Sequence, residues 1–166
     1  MKKSITILII SVLSVLLSLN ALAQENSFTA GTNMVKVGIG VMSGMNDVAM
    51  PPVHISYEKG VWSISEKFTL GVGGFAGMLT TRFIDETSVI WGTCLNGNIH
   101  FALLPKLDLY AGYYLGYVSL AEYGFSMGDF SNGFMLGASY FFTSSVGAFV
   151  QLGGFGSVSA GVAFSF

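Results

Sequence analysis

The last ten residues of the chain alternate strictly between apolar side chains and small or polar ones. A period of two is typical of a β-strand whose two faces meet different environments. An aromatic residue at the very end, Phe166, is typical of a strand that spans a membrane, because its apolar face then lies against lipid. The apolar face comprises Val158, Ala160, Val162, Phe164 and Phe166, and the other face comprises Ser157, Ser159, Gly161, Ala163 and Ser165.

The amino terminus has the pattern of a cleaved secretory signal peptide. Lys2 and Lys3 precede an apolar run from Ile7 to Leu19, and the Ala21-Leu22-Ala23 tripeptide has the small residues of a cleavage site. An uncleaved membrane anchor is the alternative, but the run is short for a spanning helix and no stop-transfer charges follow it. We therefore expect a signal peptide over 1–23 and one mature domain over 24–166.

Composition favours a membrane barrel over a soluble sheet. Hydrophobic residues make up 52% of the chain and charged residues only 10%, whereas the wet face of a soluble sheet carries more charge. The mature chain contains no long apolar run, so its hydrophobicity lies in alternation. Acidic residues outnumber basic ones, which argues against nucleic acid as a partner. Cys94 is the single cysteine, so no intramolecular disulfide can form.

Alternation and turn signals divide the mature chain into eight segments. An even number suits a closed antiparallel barrel, which leaves no unpaired edge in lipid. The sequence therefore predicts an all-β fold, an eight-stranded antiparallel transmembrane β-barrel with up-and-down meander topology. The predicted strands are Met34–Ser43, Val53–Glu58, Phe68–Leu79, Val89–Phe101, Leu109–Val118, Phe134–Phe142, Gly147–Leu152 and Val158–Phe166.

The connections between these segments alternate in length. Leu104–Asp108 and Thr143–Val146 are predicted as short periplasmic turns, and Gly44–Met50, Thr80–Ser88 and Ser119–Asn132 as longer external loops. These external loops are acidic, because one basic residue, Arg82, accompanies several carboxylates. The carboxylates are Asp47, Asp85, Glu86, Glu122 and Asp129.

Alternation alone does not say which face meets lipid. A soluble ligand-binding barrel of the lipocalin type has the same period, with a charged outer face. Here the polar face is mostly Gly, Ser and Asn, which suits a packed lumen. Aromatic residues at strand ends are typical of interfacial girdles. We assign this role to Trp91 on the outer side, and to Tyr57, Trp62, Phe101, Tyr140, Phe142 and Phe164 on the periplasmic side.

The inward residues indicate a filled lumen. Inward glycines alternate with bulky residues such as Phe75, Tyr110 and Phe149, as expected in a narrow barrel without a continuous channel. Lys36 and Glu58 lie on adjacent predicted strands, and we expect them to form a lumenal ion pair, since a buried charge needs a partner. A proton or ion relay is the functional alternative for the same pair.

His54 and His100 are the two histidines, so any histidine chemistry must use one of them. Barrel enzymes that deacylate lipid A place a histidine and a serine on the lipid-facing wall, whereas both histidines here are predicted to face inward. We interpret them, with Asn96 and Asn98, as lumenal hydrogen-bonding groups, and Cys94 as a small filler. The sequence thus predicts no catalytic residues, no metal site and no cofactor.

Three stretches resemble the small outer-membrane β-barrel family of Bacteroidetes-type bacteria, which is akin to OmpX- and OmpA-like barrels. They are PPVHISYEKGVW from Pro51, FTLGVGGFAG from Phe68 and GASYFFTSSVGAFVQLGGFGSVSAGVAFSF from Gly137. The resemblance covers nearly all of the mature chain. The resemblance implies that the barrel-assembly machinery recognises Phe164 and Phe166 during insertion into the outer membrane of a Gram-negative bacterium.

Two positions depart from the family pattern. The family often has Arg where this chain has Ser139 and Glu where it has Gln151, so the inward ion pair is replaced by two neutral residues. The two neutral residues argue against a lumenal role that depends on charge at this site. Ser139 and Gln151 are instead assigned to the structural polar network of the lumen.

The sequence predicts a non-enzymatic barrel embedded in outer-membrane lipid. Its expected role is envelope structure or surface interaction through the short acidic loops, and no feature identifies the surface partner. Two alternatives stay open. One is an enzyme that modifies outer-membrane lipid, and the other is a narrow pore for ions or small solutes.

Overall fold

The computed structural model describes residues 28–42, 48–83, 86–122 and 125–166. The predicted signal peptide lies outside these residues. No helix in the described ranges is long and apolar enough to span a membrane. Eight strands are formed: β1 (Asn33–Val41), β2 (Val48–Ser63), β3 (Phe68–Phe83), β4 (Glu86–Leu104), β5 (Leu107–Glu122), β6 (Phe125–Phe141), β7 (Val146–Leu152) and β8 (Val158–Ser165).

Each strand pairs antiparallel with the next along the chain, and β1 pairs with β8 to close the barrel. Val37 lies opposite Val162 at this closing seam, and Asn33 exchanges two backbone hydrogen bonds with Phe166, each 2.9 Å long. The predicted fold, an eight-stranded antiparallel meander barrel, is confirmed. Closure pairs both terminal strands, so neither β1 nor β8 is left as a long open edge.

The inward and outward faces follow the predicted alternation. Val37, Ile55 and Leu115 are exposed on the outer wall, whereas their chain neighbours Lys36, His54 and Tyr114 face inward. On β8, Val158, Val162 and Phe164 are exposed and Ser159, Ala163 and Ser165 are buried. The wall therefore presents apolar side chains outward and keeps its polar groups inside.

Several strands extend well beyond the predicted bounds. The predicted second strand, Val53–Glu58, is the middle of a 16-residue β2, and the predicted sixth, Phe134–Phe142, is the later part of a 17-residue β6. The expected long loops Thr80–Ser88 and Ser119–Asn132 are wrong, because most of their residues continue β3 to β6. Residues 44–47 of the first predicted loop lie outside the described ranges, and Val48–Met50 begin β2.

The extensions escaped prediction because apolar alternation marks only the zone in which outward side chains are apolar and inward side chains are small or polar. Beyond this zone, backbone hydrogen bonds hold a strand pair together whatever its side chains are. Pro51 and Pro52 lie within β2, at an irregularity in its pairing with β3. Proline is tolerated at such positions because the irregular register does not need its missing N–H.

The carboxylates assigned to loops are therefore mostly on strands. Asp129 lies within β6 and is exposed, and Glu86 and Glu122 are end residues of β4 and β5. Arg82 lies within β3 and is exposed. Asp47 and Asp85 lie outside the described residues.

Two ends of the barrel can be distinguished. Phe28 and Phe166 lie at the terminal end, and the β3–β4 and β5–β6 connections lie at the opposite, distal end. A buried apolar layer near the terminal end contains Phe28, Met34, Phe141, Phe149 and Ala163. A second layer toward the distal end contains Phe75, Leu79, Cys94, Met135 and Phe155.

Candidate functional site in the barrel lumen

A cluster of charged side chains lies between the two apolar layers. Glu58 is at its centre: its Oε2 atom lies 3.7 Å from Lys36 Nζ, and its Oε1 atom lies 2.9 Å from His100 Nε2. Asn98 Nδ2 donates a 2.7 Å hydrogen bond to the same Oε1 atom. The four side chains are buried. β1, β2 and β4 each contribute inward positions to this cluster.

His100 bridges two carboxylates. Its Nδ1 atom lies 2.7 Å from Asp108 Oδ2, and its Nε2 atom faces Glu58. Carboxylates only accept hydrogen bonds, so both ring nitrogens carry protons unless one carboxyl group is itself protonated. With an imidazolium at His100, the charges of Lys36, His100, Glu58 and Asp108 sum to zero. The cluster therefore satisfies its charges internally, as a buried site requires.

Aromatic rings support this cluster. The ring of His100 stacks on that of Phe28 with a centroid distance of 3.8 Å. It also stacks on the ring of Tyr110, with a centroid distance of 5.4 Å. Lys36 Nζ lies 3.6 Å from the centroid of the Tyr110 ring, a cation–π contact. The Tyr110 hydroxyl donates to Gln151 Oε1 at 2.9 Å. Gln151 thus joins the network through an uncharged hydrogen bond.

The other predicted lumenal residues lie near the cluster without joining its hydrogen bonds. His54 makes an edge contact with Phe149 at 5.9 Å, and Asn96 lines a small cavity together with Lys36 and Gln151. Ser139 is fully buried on β6. The cavity has about 10 Å³ of space for water centres, which is the scale of a single water molecule.

Three buried residues of the lumen do not follow from the sequence pattern: Phe28, Asp108 and Phe155. The sequence predicts Asp108 in a turn, yet it lies two residues before inward Tyr110, so one more step of the alternation places it in the lumen. Phe28 precedes β1 and Phe155 lies between β7 and β8, outside any periodic pattern. Phe155 is buried against Gly77 and Gly92, where added Cβ atoms would meet its ring at 2.6 and 3.1 Å.

The residues before β1 close the terminal end of the lumen. Gly60 on β2 accepts a 2.8 Å hydrogen bond from Gly31 N and donates a 2.9 Å bond to Thr32 O. Tyr57 donates a 2.7 Å hydrogen bond to Asn33 Oδ1. These bonds hold the segment so that Phe28 lies over His100, which separates the charged cluster from the terminal mouth.

The predicted interfacial aromatics lie on the outer wall at both ends. Tyr57, Trp62, Trp91 and Phe142 are exposed, and Phe101 and Tyr140 are half-buried. Trp91 is near the distal end and contacts Tyr117, while the others lie toward the terminal end. Phe164 and Phe166 are exposed at the terminal end, as the alternation indicates.

Gly71 gives a specific test of the Glu58 position. A Cβ atom at residue 71 would overlap the Glu58 carboxylate and lie 3.0 Å from its Cδ atom, whereas one at Gly97 on β4 would meet nothing within 4 Å. We expect Gly71→Ala to lower the free energy of unfolding by about 1–3 kcal/mol through overpacking, measured by denaturant titration in lipid vesicles. Gly97→Ala is the matched control and should be neutral or slightly stabilising. Equal stability of the two variants would place the Glu58 carboxylate elsewhere.

No protein-family model matches this chain, and no curated protein sequence matches it either. Solved structures do resemble it in shape. Ail, the attachment invasion locus protein of Yersinia pestis, has 13% identity and a TM-score of 0.45, covering 83% of this chain and 100% of Ail. The N-terminal β-barrel domain of Pseudomonas aeruginosa OprF has 12% identity and a TM-score of 0.47, covering 82% and 98%. The outer membrane protein OprG of the same species has 10% identity and a TM-score of 0.48, covering 86% and 99%.

Proposed function

We propose that the chain is an integral outer-membrane barrel with a sealed lumen, which serves envelope structure or surface interaction and has no catalytic role. The observation that carries the proposal is an apolar outer wall. Exposed hydrophobic side chains run around the barrel, including Ile39, Ile55, Leu95, Leu115 and Val150. A monomeric soluble protein rarely exposes a continuous apolar surface of this extent.

The exposed charges support the same placement, because they lie at the two ends of the wall. Lys59, Glu66 and Lys67 are exposed at the terminal end, and Arg82 and Asp129 at the distal end. Val72 lies opposite Lys59, and ten strand positions separate Val72 from Arg82. At a strand tilt of about 40°, these positions span about 25 Å of barrel height. This height matches the apolar band of outer-membrane barrels, which is about 25 Å tall.

The orientation is inferred from the strand lengths. β2 to β6 extend at the distal end, and outer-membrane barrels make their longer excursions on the extracellular side, so we place the terminal end in the periplasm and the distal end outside the cell. The distal end then presents Asp129 and Arg82 to the surroundings, with further carboxylates in the sequence near by. A surface role would use this end.

The filled lumen argues against transport. Two apolar layers and a charge-balanced cluster occupy the interior, and the cavity among Lys36, His54 and Asn96 has room for about one water molecule. We expect no steady single-channel current when the purified barrel is inserted in planar bilayers. Sustained unitary currents would instead support the pore alternative.

The lipid-modifying alternative needs a histidine on the outer wall beside a nucleophile. Both histidines are buried in the lumen, and His100 is engaged by Glu58 and Asp108. Mass spectra of lipid A from cells with and without the gene should therefore be identical. If the spectra did differ, the deletion strain would be complemented with the wild-type gene and with the His100→Gln gene. Equal complementation by the two genes would exclude His100 as the source of the difference.

A further inference from the structure

The residues before β1 form a short segment that lies outside the barrel wall. We call residues 28–32 the strap, because they cross the terminal mouth of the lumen. Thr32 N donates a 3.1 Å hydrogen bond to Thr29 O, and Gly31 has a φ of 94°, so the strap turns back on itself. Phe28 thereby enters the lumen, where it is 2% exposed and belongs to the apolar layer of the terminal end. The strap carries Phe28 as a plug.

Few bonds hold the strap in place. Its main chain exchanges two hydrogen bonds with Gly60, and Ala30 N donates a 3.0 Å bond to Ser63 Oγ. The register of β1 with its two neighbours begins at Asn33 and Met34, so no residue pair of these ladders includes the strap. The strap can therefore leave the mouth while the wall stays closed, which is a local opening of the kind that hydrogen exchange detects.

Phe155, the corresponding plug of the distal layer, is held differently. It lies on the β7–β8 connection, which joins a strand at each of its two ends, whereas in the described part of the chain the strap joins a strand only after Thr32. Within that connection, Gly153 N donates a 3.1 Å hydrogen bond to Ser157 O, and Ser157 N donates a 2.8 Å bond to Val41 O. Phe155 cannot leave unless this hairpin opens. Of the two plugs, Phe28 is therefore the removable one.

Opening of the strap would exchange one set of contacts for another. In the closed arrangement, the Phe28 ring stacks on His100 at 3.8 Å and keeps water from the charged cluster. Asp108 Oδ1 is buried there without a hydrogen-bond partner among the residues that the structure describes. An unsatisfied buried acceptor costs free energy, and water admitted at the mouth would remove that cost. Burial of Phe28 thus favours the closed arrangement, and hydration of Asp108 favours the open one.

We propose that the strap is a gate that opens locally and admits water to the charged cluster from the terminal end alone. The distal apolar layer stays in place during this movement, so the space behind the gate is a dead end. An open strap is thus compatible with the absence of ionic current expected above. On the orientation proposed above, the cluster exchanges protons with periplasmic water and not with water outside the cell. The gate goes beyond the proposed function, because its movement does not depend on which end faces the periplasm.

The test measures how fast water reaches His100. The chain has two histidines, so isotopic labelling of histidine alone gives few signals. NMR of the mature barrel in lipid nanodiscs then follows the exchange of the His100 ring N–H protons with water. The backbone amide of His100 is the internal control, because it lies in the wall opposite Thr69 and Tyr110. General loosening of the barrel would speed both kinds of exchange, whereas opening of the strap speeds ring exchange alone.

Two pairs of variants separate the strap from other causes. Phe28→Ala and Phe155→Ala make the same truncation in the terminal and the distal layer. Gly60→Ala keeps Phe28, but its Cβ atom would overlap the carbonyl oxygen of Thr29 and lie 2.9 Å from the carbonyl carbon, which displaces the strap. Gly97→Ala is its control, because a Cβ atom there meets nothing within 4 Å. The glycine pair keeps the test decisive if either truncated variant fails to fold.

We expect ring exchange at least tenfold faster than in the wild type for Phe28→Ala and Gly60→Ala. Ring exchange in Phe155→Ala and Gly97→Ala, and backbone exchange of His100 in all four variants, should stay within threefold of the wild type. Wild-type ring exchange as fast as that of Phe28→Ala, or equal exchange in the two glycine variants, would overturn the gate. Equal acceleration by Phe28→Ala and Phe155→Ala would also overturn it, because water would then enter from both ends. Each of these results leaves the proposed function standing.

Discussion

Glu58→Gln should lower the free energy of unfolding by about 3–5 kcal/mol, the largest effect we expect from a single substitution in this barrel. The change removes the one carboxylate that contacts Lys36, His100 and Asn98 together. Among the residues that the structure describes, no other carboxylate then lies within ion-pair distance of buried Lys36, and a buried charge without a partner is strongly destabilising. Denaturant unfolding in lipid vesicles, followed by tryptophan fluorescence, measures this loss.

Lys36→Met provides the control for this experiment. It should cost less than Glu58→Gln, because Glu58 keeps the hydrogen bonds from His100 and Asn98. The double variant should recover part of the loss, since no unpaired ammonium remains in the lumen. Strictly additive losses would mean that Lys36 and Glu58 do not interact.

Leu95→Arg should destabilise the folded barrel by about 2–4 kcal/mol, because it places a charge near the middle of the apolar band that we propose lies in lipid. Leu95 is 72% exposed on the outer wall of β4. Unfolding in vesicles of phosphatidylcholine measures the effect. In a water-soluble barrel, the same substitution at so exposed a position would change stability by about 0.5 kcal/mol or less.

Met127→Arg is the matched control for Leu95→Arg. Met127 is equally exposed, but it lies on β6 beyond the level of Phe130 and Tyr117, outside the apolar band. We expect a change within about 0.5 kcal/mol for this variant. Similar losses in both variants would mean that the band does not lie in lipid.

The period-two pattern predicted the number, order and facing of the strands, because each residue in the middle of the wall faces either outward or into the lumen. It placed Val37, Ile55 and Leu115 outside and Lys36, His54 and Glu58 inside. The same pattern ended too early on β2 and β6, because the outer parts of these strands are held by backbone pairing whatever their side chains are. The pattern therefore predicts a loop at Asp129 and Phe130.

The lumenal network could be predicted only in part. Lys36 and Glu58 could be paired from the sequence, because both are predicted to face inward on adjacent antiparallel strands. The stacking of Phe28 on His100 could not, because the segment before β1 has no period and its path depends on bonds to Gly60. Phe155 likewise turns inward on a connection where Gly153 and Gly154 adopt φ values of 81° and 80°, a backbone path that composition alone does not indicate.

The most direct test of the account is heat-modifiability combined with cell fractionation. The outer-membrane fraction is run on a denaturing gel with and without boiling. We expect the protein in that fraction, with an unboiled band that migrates faster than the boiled one, because a closed barrel in lipid resists detergent unfolding at room temperature. A soluble periplasmic band that does not shift on boiling would contradict the account and would indicate a secreted barrel whose apolar wall is covered by something other than lipid.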